Sequence, residues 1–356
     1  MVVQATLEAV MLMGDAEENW RRFSFNRDGF FHDPHGQVIS LWGMVEFQRF
    51  WNELDSMFSA PLGRKLLYAA TDCEEEIVMK SGLYRRKGWF SGRENKRRLH
   101  ERWRSMGWGL PEGDGILQPC HDQLTVGLFL AHAEWRDAQR LDINWQQISD
   151  ARLEIEVAPN SRPINDLPQL QPLPWGYHMG HSDCEHPGIE MDLDWRSYGF
   201  FVGQERSFFL PVNLLHRLAI EASGRPLQVT KDASLHLNVK LEHPSSSTFA
   251  AFSMAAYRGY LNSDAHAFVL EPSDWLDLLQ LRLNQRGLGG ARLDGVWRSG
   301  ERSATFIIQS PLPAVAVGLI CGLWQRALGG RIEATVEVAE NRVILEIQEV
   351  NISFEE

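Results

Sequence analysis

The tripeptide Cys120-His121-Asp122 places a nucleophile, a base and an acid at adjacent positions. A cysteine thiolate attacks a substrate when a neighbouring imidazole takes its proton, so a cysteine-dependent enzyme is one hypothesis. Adjacent side chains seldom point at each other, however, and a catalytic cysteine and histidine normally come from different segments. We therefore expect no catalytic residue here. Cys120 is predicted to be a loop thiol, and Asp122 to cap the helix that follows.

A second group of reactive side chains, three histidines and a cysteine, falls within a proline-rich stretch. Imidazole and thiolate are good zinc ligands, and short separations allow them to clip one metal ion. The spacing matches no standard zinc pattern, so a polar loop is the favoured interpretation, with no cofactor expected and zinc as the alternative. The candidate ligands are His178, His181, Cys184 and His186.

A run of basic residues between positions 85 and 104 is interleaved with Trp89, Phe90 and Trp103. Guanidinium groups bind phosphate and aromatic rings stack on bases, so the run suits a phosphate-bearing ligand, a nucleic acid or an acidic protein. The alternative is a solvated face that pairs with acids such as those at 74–76. We define the basic strip as Arg85, Arg86, Lys87, Arg93, Lys96, Arg97, Arg98, Arg102 and Arg104.

The composition is that of an ordinary globular protein. With 356 residues, 44% of them apolar, the chain exceeds what one core normally organises, so two domains are expected. A net charge of −12 disfavours nucleic-acid binding except through the basic strip. Four scattered cysteines, no apolar run long enough for a membrane span and no basic region before the apolar N-terminal stretch together predict a cytoplasmic protein.

Short motifs recur in the same order in the two halves of the chain, which predicts an internal duplication. A single match would carry no weight, but ordered agreement with similar spacing does. The matched pairs are Gly29-Phe30-Phe31 with Gly199-Phe200-Phe201, Gly107-Trp108-Gly109 with Gly287-Leu288-Gly289, Ile116-Leu117-Gln118 with Ile307-Ile308-Gln309, Val126-Gly127-Leu128 with Val317-Gly318-Leu319, and Leu153-Glu154-Ile155 with Leu345-Glu346-Ile347.

Each half is predicted to contain the same elements. A hairpin opens it, and a helix with one apolar face follows, from Val45 to Phe58 and from Val212 to Ala222. A later helix ends at the Gly-x-Gly motif as a C-cap, another helix carries Val-Gly-Leu, and an alternating hairpin closes the unit. Leu235 to Leu241 also alternates as a strand in the second half. The predicted fold class is α+β, with two tandem domains, each a mainly antiparallel sheet with helices on one side.

Six prolines between positions 159 and 187 mark the boundary between the halves. Proline excludes regular helix and central strand, so this stretch is predicted to be an extended linker. Its apolar residues, such as Leu173 and Trp175, predict that it packs along a domain face rather than hanging free. The expected domains are 1–158 and 189–356, joined by the linker 159–188.

The unit resembles the vinyl-reductase-type ligand-binding domain, whose fold is shared with transport-particle subunits of the Golgi. The residues that carry the resemblance are the Gly-Phe-Phe hairpin, Leu62-Gly63-Arg64, the helix ending in Gly-x-Gly and the Val-Gly-Leu helix. The resemblance implies an apolar pocket for a small or lipid-like ligand, or a dimerising scaffold. Some members carry a cysteine-rich zinc site, but Cys120 and Cys321 have no nearby cysteine partners, so a zinc-linked sensor is not expected.

Two kinds of function follow. The first is a non-enzymatic binding or assembly protein whose basic strip contacts a protein partner, and in which the halves pack like a dimer. The second is a sensor or carrier of a small hydrophobic or phosphate-bearing ligand. Its pocket would lie under the opening hairpins, although the same aromatic residues could simply fill the core. The candidate pocket residues are Phe30, Phe31, Trp42, Phe200 and Phe209.

Overall fold

The computed structural model describes residues 23–26, 28–84, 91–163, 169–176, 193–228, 234–295, 297–298, 300–339 and 341–350. The helices in these residues are α1 (Met44–Ser56), α2 (Lys65–Lys80), α3 (Ser91–Met106), α4 (Asp122–Asp137), α5 (Val212–Ala222), α6 (Ser246–Leu261), α7 (Pro272–Arg282) and α8 (Pro313–Leu328). A 3-10 turn (Asn284–Arg286) follows α7.

The strands in the described residues form three sheets, and nearly all neighbouring pairs are antiparallel, which confirms the α+β class. They are β1 (Ser24–Phe25), β2 (Phe31–His32), β3 (Val38–Gly43), β4 (Leu110–Glu112), β5 (Gly115–Leu117), β6 (Leu141–Ser149), β7 (Arg152–Pro159), β8 (Leu193–Arg196), β9 (Gly199–Val202), β10 (Glu205–Pro211), β11 (Leu235–Lys240), β12 (Gly290–Leu293), β13 (Ser303–Gln309), β14 (Arg331–Ala339) and β15 (Arg342–Val350).

The largest sheet contains strands from both halves, in the order β1-β2-β3-β10-β9-β8. Its two central strands, β3 and β10, pair antiparallel, with Leu41 opposite Phe209. Each of these strands leads directly into a helix, α1 or α5. The opening hairpins of the two halves therefore meet edge to edge at the centre of the molecule.

Each half also contributes a sheet of its own. The order β4-β5-β7-β6 in the first half has the same antiparallel connections as β12-β13-β15-β14 in the second. The second sheet gains β11, which pairs parallel with β14 and is the exception to the antiparallel pattern. The strand predicted from Leu235 onward is thus present, although its parallel pairing was not anticipated.

The helices pack in matching pairs. Within the halves, α2 contacts α4 and α6 contacts α8, and across the halves α1 contacts α6 and α5 contacts α2. Glycine allows the close approach inside each half, because a Cβ at Gly127 would overlap the carbonyl oxygen of Leu67 and one at Gly318 would overlap that of Ser253. In each half, therefore, a glycine of the later helix (α4 or α8) allows it to approach the earlier helix (α2 or α6) closely.

The Gly-x-Gly motifs end their helical segments as predicted, and they also bring the halves together. Gly107 and Gly287 both have positive φ, of 77° and 68°. A Cβ on Gly107 would lie 2.6 Å from the carbonyl oxygen of Ser207, and one on Gly287 would lie 2.6 Å from that of Ile39. Each motif therefore packs against the opening hairpin of the other half.

Several predicted boundaries need correction. Helix α1 buries Phe47, Phe50, Trp51 and Leu54, but Val45, which was placed on the same apolar face, is exposed. The N-cap of α4 is His121, which accepts a hydrogen bond from Leu124 N, so the cap assignment to Asp122 is wrong by one residue. Helices α2 and α6 were not predicted at all.

The described part of the predicted linker, residues 169–176, packs against the second half. Leu173 and Trp175 are buried, and the Trp175 indole donates a 3.0 Å hydrogen bond to Ser245 Oγ. The indole also meets Phe249 of α6 edge-on, with ring centroids 5.4 Å apart. Apolar side chains therefore fix this segment to the protein surface.

In the described parts of the chain, no helix has both the length and the hydropathy needed to cross a membrane.

Candidate functional site

A cavity of about 360 Å³ lies in the first half, between α3 and α4. Helix α3 lines one side and helix α4 the other, while the turn between β4 and β5 closes one end. The lining residues are Tyr84, Gly92, Asn95, Lys96, Leu99, His100, Pro111, Gly113, Phe129, His132, Ala133, Trp135 and Arg136.

The lining of this cavity is apolar and cationic, and none of its residues carries a carboxylate. Arg136 is bound to Asp137 by two hydrogen bonds of 2.6 and 2.9 Å, so its charge is largely neutralised. Burial and the charge of Lys96 lower the pKa of His100, which leaves this imidazole neutral at pH 7. Lys96 is exposed and has no ion pair among the described residues, so it is the main positive charge at the cavity.

The polar groups at the cavity continue inward as a chain. Tyr84 Oη lies 2.8 Å from His132 Nδ1, and His132 Nε2 lies 3.1 Å from a carboxylate oxygen of Glu74, although that second contact lacks the alignment of a hydrogen bond. Burial raises the pKa of Tyr84, so its hydroxyl stays protonated. A ligand in the cavity would therefore meet a neutral phenol and an imidazole rather than a charged nucleophile.

Behind His132 lies a buried ion cluster. Arg102 binds both carboxylate oxygens of Glu74, at 2.6 and 2.7 Å, and donates a 3.0 Å hydrogen bond to Asp33. Burial alone would raise the pKa of Glu74, but the charge and hydrogen bonds of Arg102, assisted by His132, outweigh it and lower this pKa to about 2. The guanidinium also lies 5.1 Å from the ring of Trp108. The cluster is therefore charged and closed to solvent.

This geometry corrects the basic strip. Arg102 is buried in the ion cluster and is not part of a surface. Its pairing with Glu74 agrees with the alternative that paired the strip with the acids at 74–76, but that alternative placed the pair on a solvated face. Arg97 and Arg98 are bound to acids of the same helix, and Arg104 donates to a backbone carbonyl. Arg93 and Lys96 remain exposed on α3, beside an open depression shared with Arg97 and His100. The other members, Arg85, Arg86 and Lys87, lie outside the described residues.

The aromatic residues predicted to line a pocket are all in the core. Phe30, Phe31, Trp42, Phe200 and Phe209 are buried, and none of them is among the lining residues of the cavity between α3 and α4. The rings of Phe200 and Phe209 lie 5.0 Å apart in the central sheet. The ring of Phe209 also lies 5.5 Å from that of Phe23, so this ring packs between the two halves.

Cys120 and His121 do not form a catalytic pair. Burial raises the pKa of Cys120 to about 11, and its sulfur lies 3.5 Å from Thr125 Oγ1. Burial lowers the pKa of His121 to about 4, and this ring meets Phe47 edge-on. A thiol that stays protonated, beside an imidazole used as a helix cap, lacks the activation that nucleophilic catalysis requires.

The candidate zinc ligands, His178, His181, Cys184 and His186, lie outside the described residues. Within the described parts, no group of three or more His, Cys, Asp or Glu side chains is placed to hold a metal ion.

Sequence reasoning missed the cavity residues Tyr84 and His132. One signal was present, since His132 lies on the apolar face of a helix otherwise rich in Leu, Val and Ala. A lone histidine in such a place is more often a core residue than a ligand group, so the signal was weak.

Comparison of the chain with family models, curated proteins and solved structures found no match.

Proposed function

We propose that this protein binds a small molecule with an apolar body and an anionic group in the cavity between α3 and α4. The observation that carries the proposal is a cavity of about 360 Å³ that has aromatic and aliphatic walls, an unpaired lysine at its rim and no carboxylate in its lining. Volumes of this size are typical of small-ligand sites, which combine mostly apolar walls with a few polar groups.

Charge complementarity selects the sign of the ligand. Lys96 attracts an anion, whereas a cation would find no counter-charge in the lining. The Tyr84 hydroxyl and the His132 ring supply hydrogen-bonding groups deeper in the cavity. The role is binding rather than covalent chemistry, because neither a thiolate nor another activated nucleophile is among the lining residues.

The test uses two fluorescent probes that differ by one charged group, 1-anilinonaphthalene-8-sulfonate and neutral N-phenyl-1-naphthylamine. We expect the sulfonate to bind at least about tenfold more tightly. Lys96→Glu should abolish this preference, whereas Arg93→Glu, which makes the same charge change on the same helix outside the cavity, should change it much less.

A second pair of variants tests the location. Leu99→Trp places an indole ring in the cavity and should weaken binding of both probes, while Leu281→Trp, on the exposed face of α7, should leave binding intact. Equal binding by wild type and Leu99→Trp would refute the proposal, as would a preference for the neutral probe.

A second candidate function is assembly with another protein, supported by an apolar patch in the second half. Phe268, Leu270 and Leu276 are 78%, 74% and 51% exposed. Exposed apolar residues this close together in the sequence favour a protein interaction surface. If the patch is an interface, the wild-type protein should sediment as an oligomer or with its partner, and Phe268→Asp should return it to a 40.7 kDa monomer.

The proposed duplication is supported by matching contacts. The central sheet has corresponding strands on either side of the Leu41–Phe209 pair, and Gly107 and Gly287 make equivalent approaches to opposite hairpins. The helix pairs across the halves, α1 with α6 and α5 with α2, also correspond. This arrangement is what fusion of an ancestral two-fold dimer would produce.

A further inference from the structure

The two halves can be aligned residue by residue around the cavity. Helices α4 and α8 both have sixteen residues and make the same close approach through Gly127 and Gly318. This alignment places Trp324 at the position of Ala133. Both residues lie on the same turn of their helix, six positions after the glycine.

Helices α3 and α7 align through the turns that follow them. Trp108 N donates to the carbonyl of Trp103, and Leu288 N makes the same 3.0 Å hydrogen bond to Leu283. Counting back from these turns places Trp275 at the position of Asn95. Both Asn95 and Ala133 line the cavity of the first half.

In the second half the corresponding space is filled by two indole rings. Trp275 and Trp324 are fully buried and stacked, with ring centroids 5.4 Å apart and planes inclined by 17°. Phe306 and Trp297 meet Trp275 edge-on. Neither stacked indole N–H has a hydrogen-bond partner within the described structure, so the pair is held by ring packing.

The same alignment of the two halves also shows which residue of the second half corresponds to the lysine at the cavity rim. Leu276 in the second half corresponds to Lys96 at the rim of the open cavity. A cation is therefore present in the half where the ring space is empty, and an apolar residue is present where indoles fill that space.

We infer that the cavity binds a flat bicyclic aromatic acid, whose ring takes the space of the indole pair while its anionic group faces Lys96. This inference rests on the proposed function and narrows its ligand class. Tyr84 and Trp135, whose rings lie 4.9 Å apart, and Phe129 supply the aromatic surface for such a ring.

The experiment compares three probes by calorimetry: indole-3-acetate as a flat bicyclic acid, octanoate as a flexible acid, and indole as a neutral ring. Indole-3-acetate should bind at least about tenfold more tightly than either of the others. If octanoate binds as tightly, the ring inference is wrong while anion binding in the cavity stands. If none of the three binds while 1-anilinonaphthalene-8-sulfonate does, the ring inference is wrong and the proposed function stands. If the sulfonate does not bind either, the proposed function fails as well.

Exchange of the ring pair tests the site itself. The Asn95→Trp/Ala133→Trp variant should lose indole-3-acetate binding by more than about tenfold and keep its circular dichroism spectrum. The reciprocal Trp275→Asn/Trp324→Ala variant should gain binding of indole. Should the first double variant fail to fold, the single Leu99→Trp variant replaces it. Retained indole-3-acetate affinity in a folded, filled variant would overturn the inference.

Discussion

At the scale of single residues, the charge on Glu74 determines how the first half is held together. A buried carboxylate is costly unless a partner compensates for lost hydration, and Arg102 does so through two hydrogen bonds of 2.6 and 2.7 Å. Asp33 shares the same guanidinium and also accepts backbone hydrogen bonds from His35 and Gln37. The cluster thereby connects α2 and α3 to the turn of the opening hairpin.

Removal of the arginine should therefore be severe. Arg102→Met leaves Glu74 and Asp33 buried without their counter-charge, and we expect it to lower the free energy of unfolding by about 3–5 kcal/mol. Arg97→Met is the matched control on the same helix. Its exposed ion pairs with Glu94 and Glu101 should contribute little to stability, because solvent screens them. Urea titration of both variants measures the difference, and equal losses would contradict a structural role for the buried cluster.

The same carboxylate makes stability depend on pH. The pKa of Glu74 falls from 4.5 to about 2 on folding, so the folded state binds the proton less readily than the unfolded state. Its contribution is complete above pH 4.5 and is lost as the pH falls towards 2. We expect the free energy of unfolding of the wild type to decrease over this range, and that of Glu74→Gln to decrease less steeply. Parallel slopes in urea titrations would show that other groups control acid unfolding.

At the scale of elements, close helix packing depends on glycine. A Cβ at Gly127 would overlap the Leu67 carbonyl oxygen and the Ala70 side chain, so α4 would have to move away from α2. Gly318 holds α8 against α6 in the same way. The late helix of each half is consequently positioned by backbone contact, and in the first half this fixes the cavity wall that carries His132.

Gly127→Ala should destabilise the protein by about 1–3 kcal/mol, because an added methyl group overpacks a tight interface. Gly92→Ala provides the control, since its Cβ would meet nothing within 4 Å and alanine favours the helix. This control should be neutral or stabilising by up to about 1 kcal/mol. Thermal melts of both variants distinguish the effects, and a harmless Gly127→Ala would mean that the helices can separate without cost.

At the scale of the whole molecule, the two halves share structure. The central sheet takes three strands from each half, and most of the buried apolar residues form one continuous cluster. Ion pairs cross between the halves as well, for example Arg217 of α5 with Glu76 of α2 at 2.9 Å. Separation of the halves would expose β3 and β10 edges together with their aromatic side chains.

We therefore expect one cooperative unfolding transition. Far-ultraviolet circular dichroism and tryptophan fluorescence should give coincident urea curves. An intermediate with one folded half would expose the shared sheet and is therefore not populated. Residues 1–158 expressed alone should aggregate or remain partly unfolded, whereas co-expression with residues 159–356 should recover soluble protein. Two separate transitions would contradict a shared core.

Local features could be predicted from the sequence because short-range spacing determines them. The limits of α5, the helix ends at Gly107 and Gly287, and the closing hairpins all follow from apolar periodicity and glycine chemistry within a few residues. Helices α2 and α6 were missed although Leu66, Leu67 and Ala70 have helical spacing, because acidic and small residues diluted the pattern.

Only the tertiary structure decided what happens between distant segments. The pairing of β3 with β10 joins residues about 170 positions apart, and no local spacing encodes such a contact. Arg102 and Lys96 look alike in the sequence, yet one is buried against Glu74 and the other lies at a cavity rim. Whether space between two helices is filled or empty depends on side-chain volumes from both. The sequence therefore determined the fold class and most of the elements, and packing between them created the candidate site.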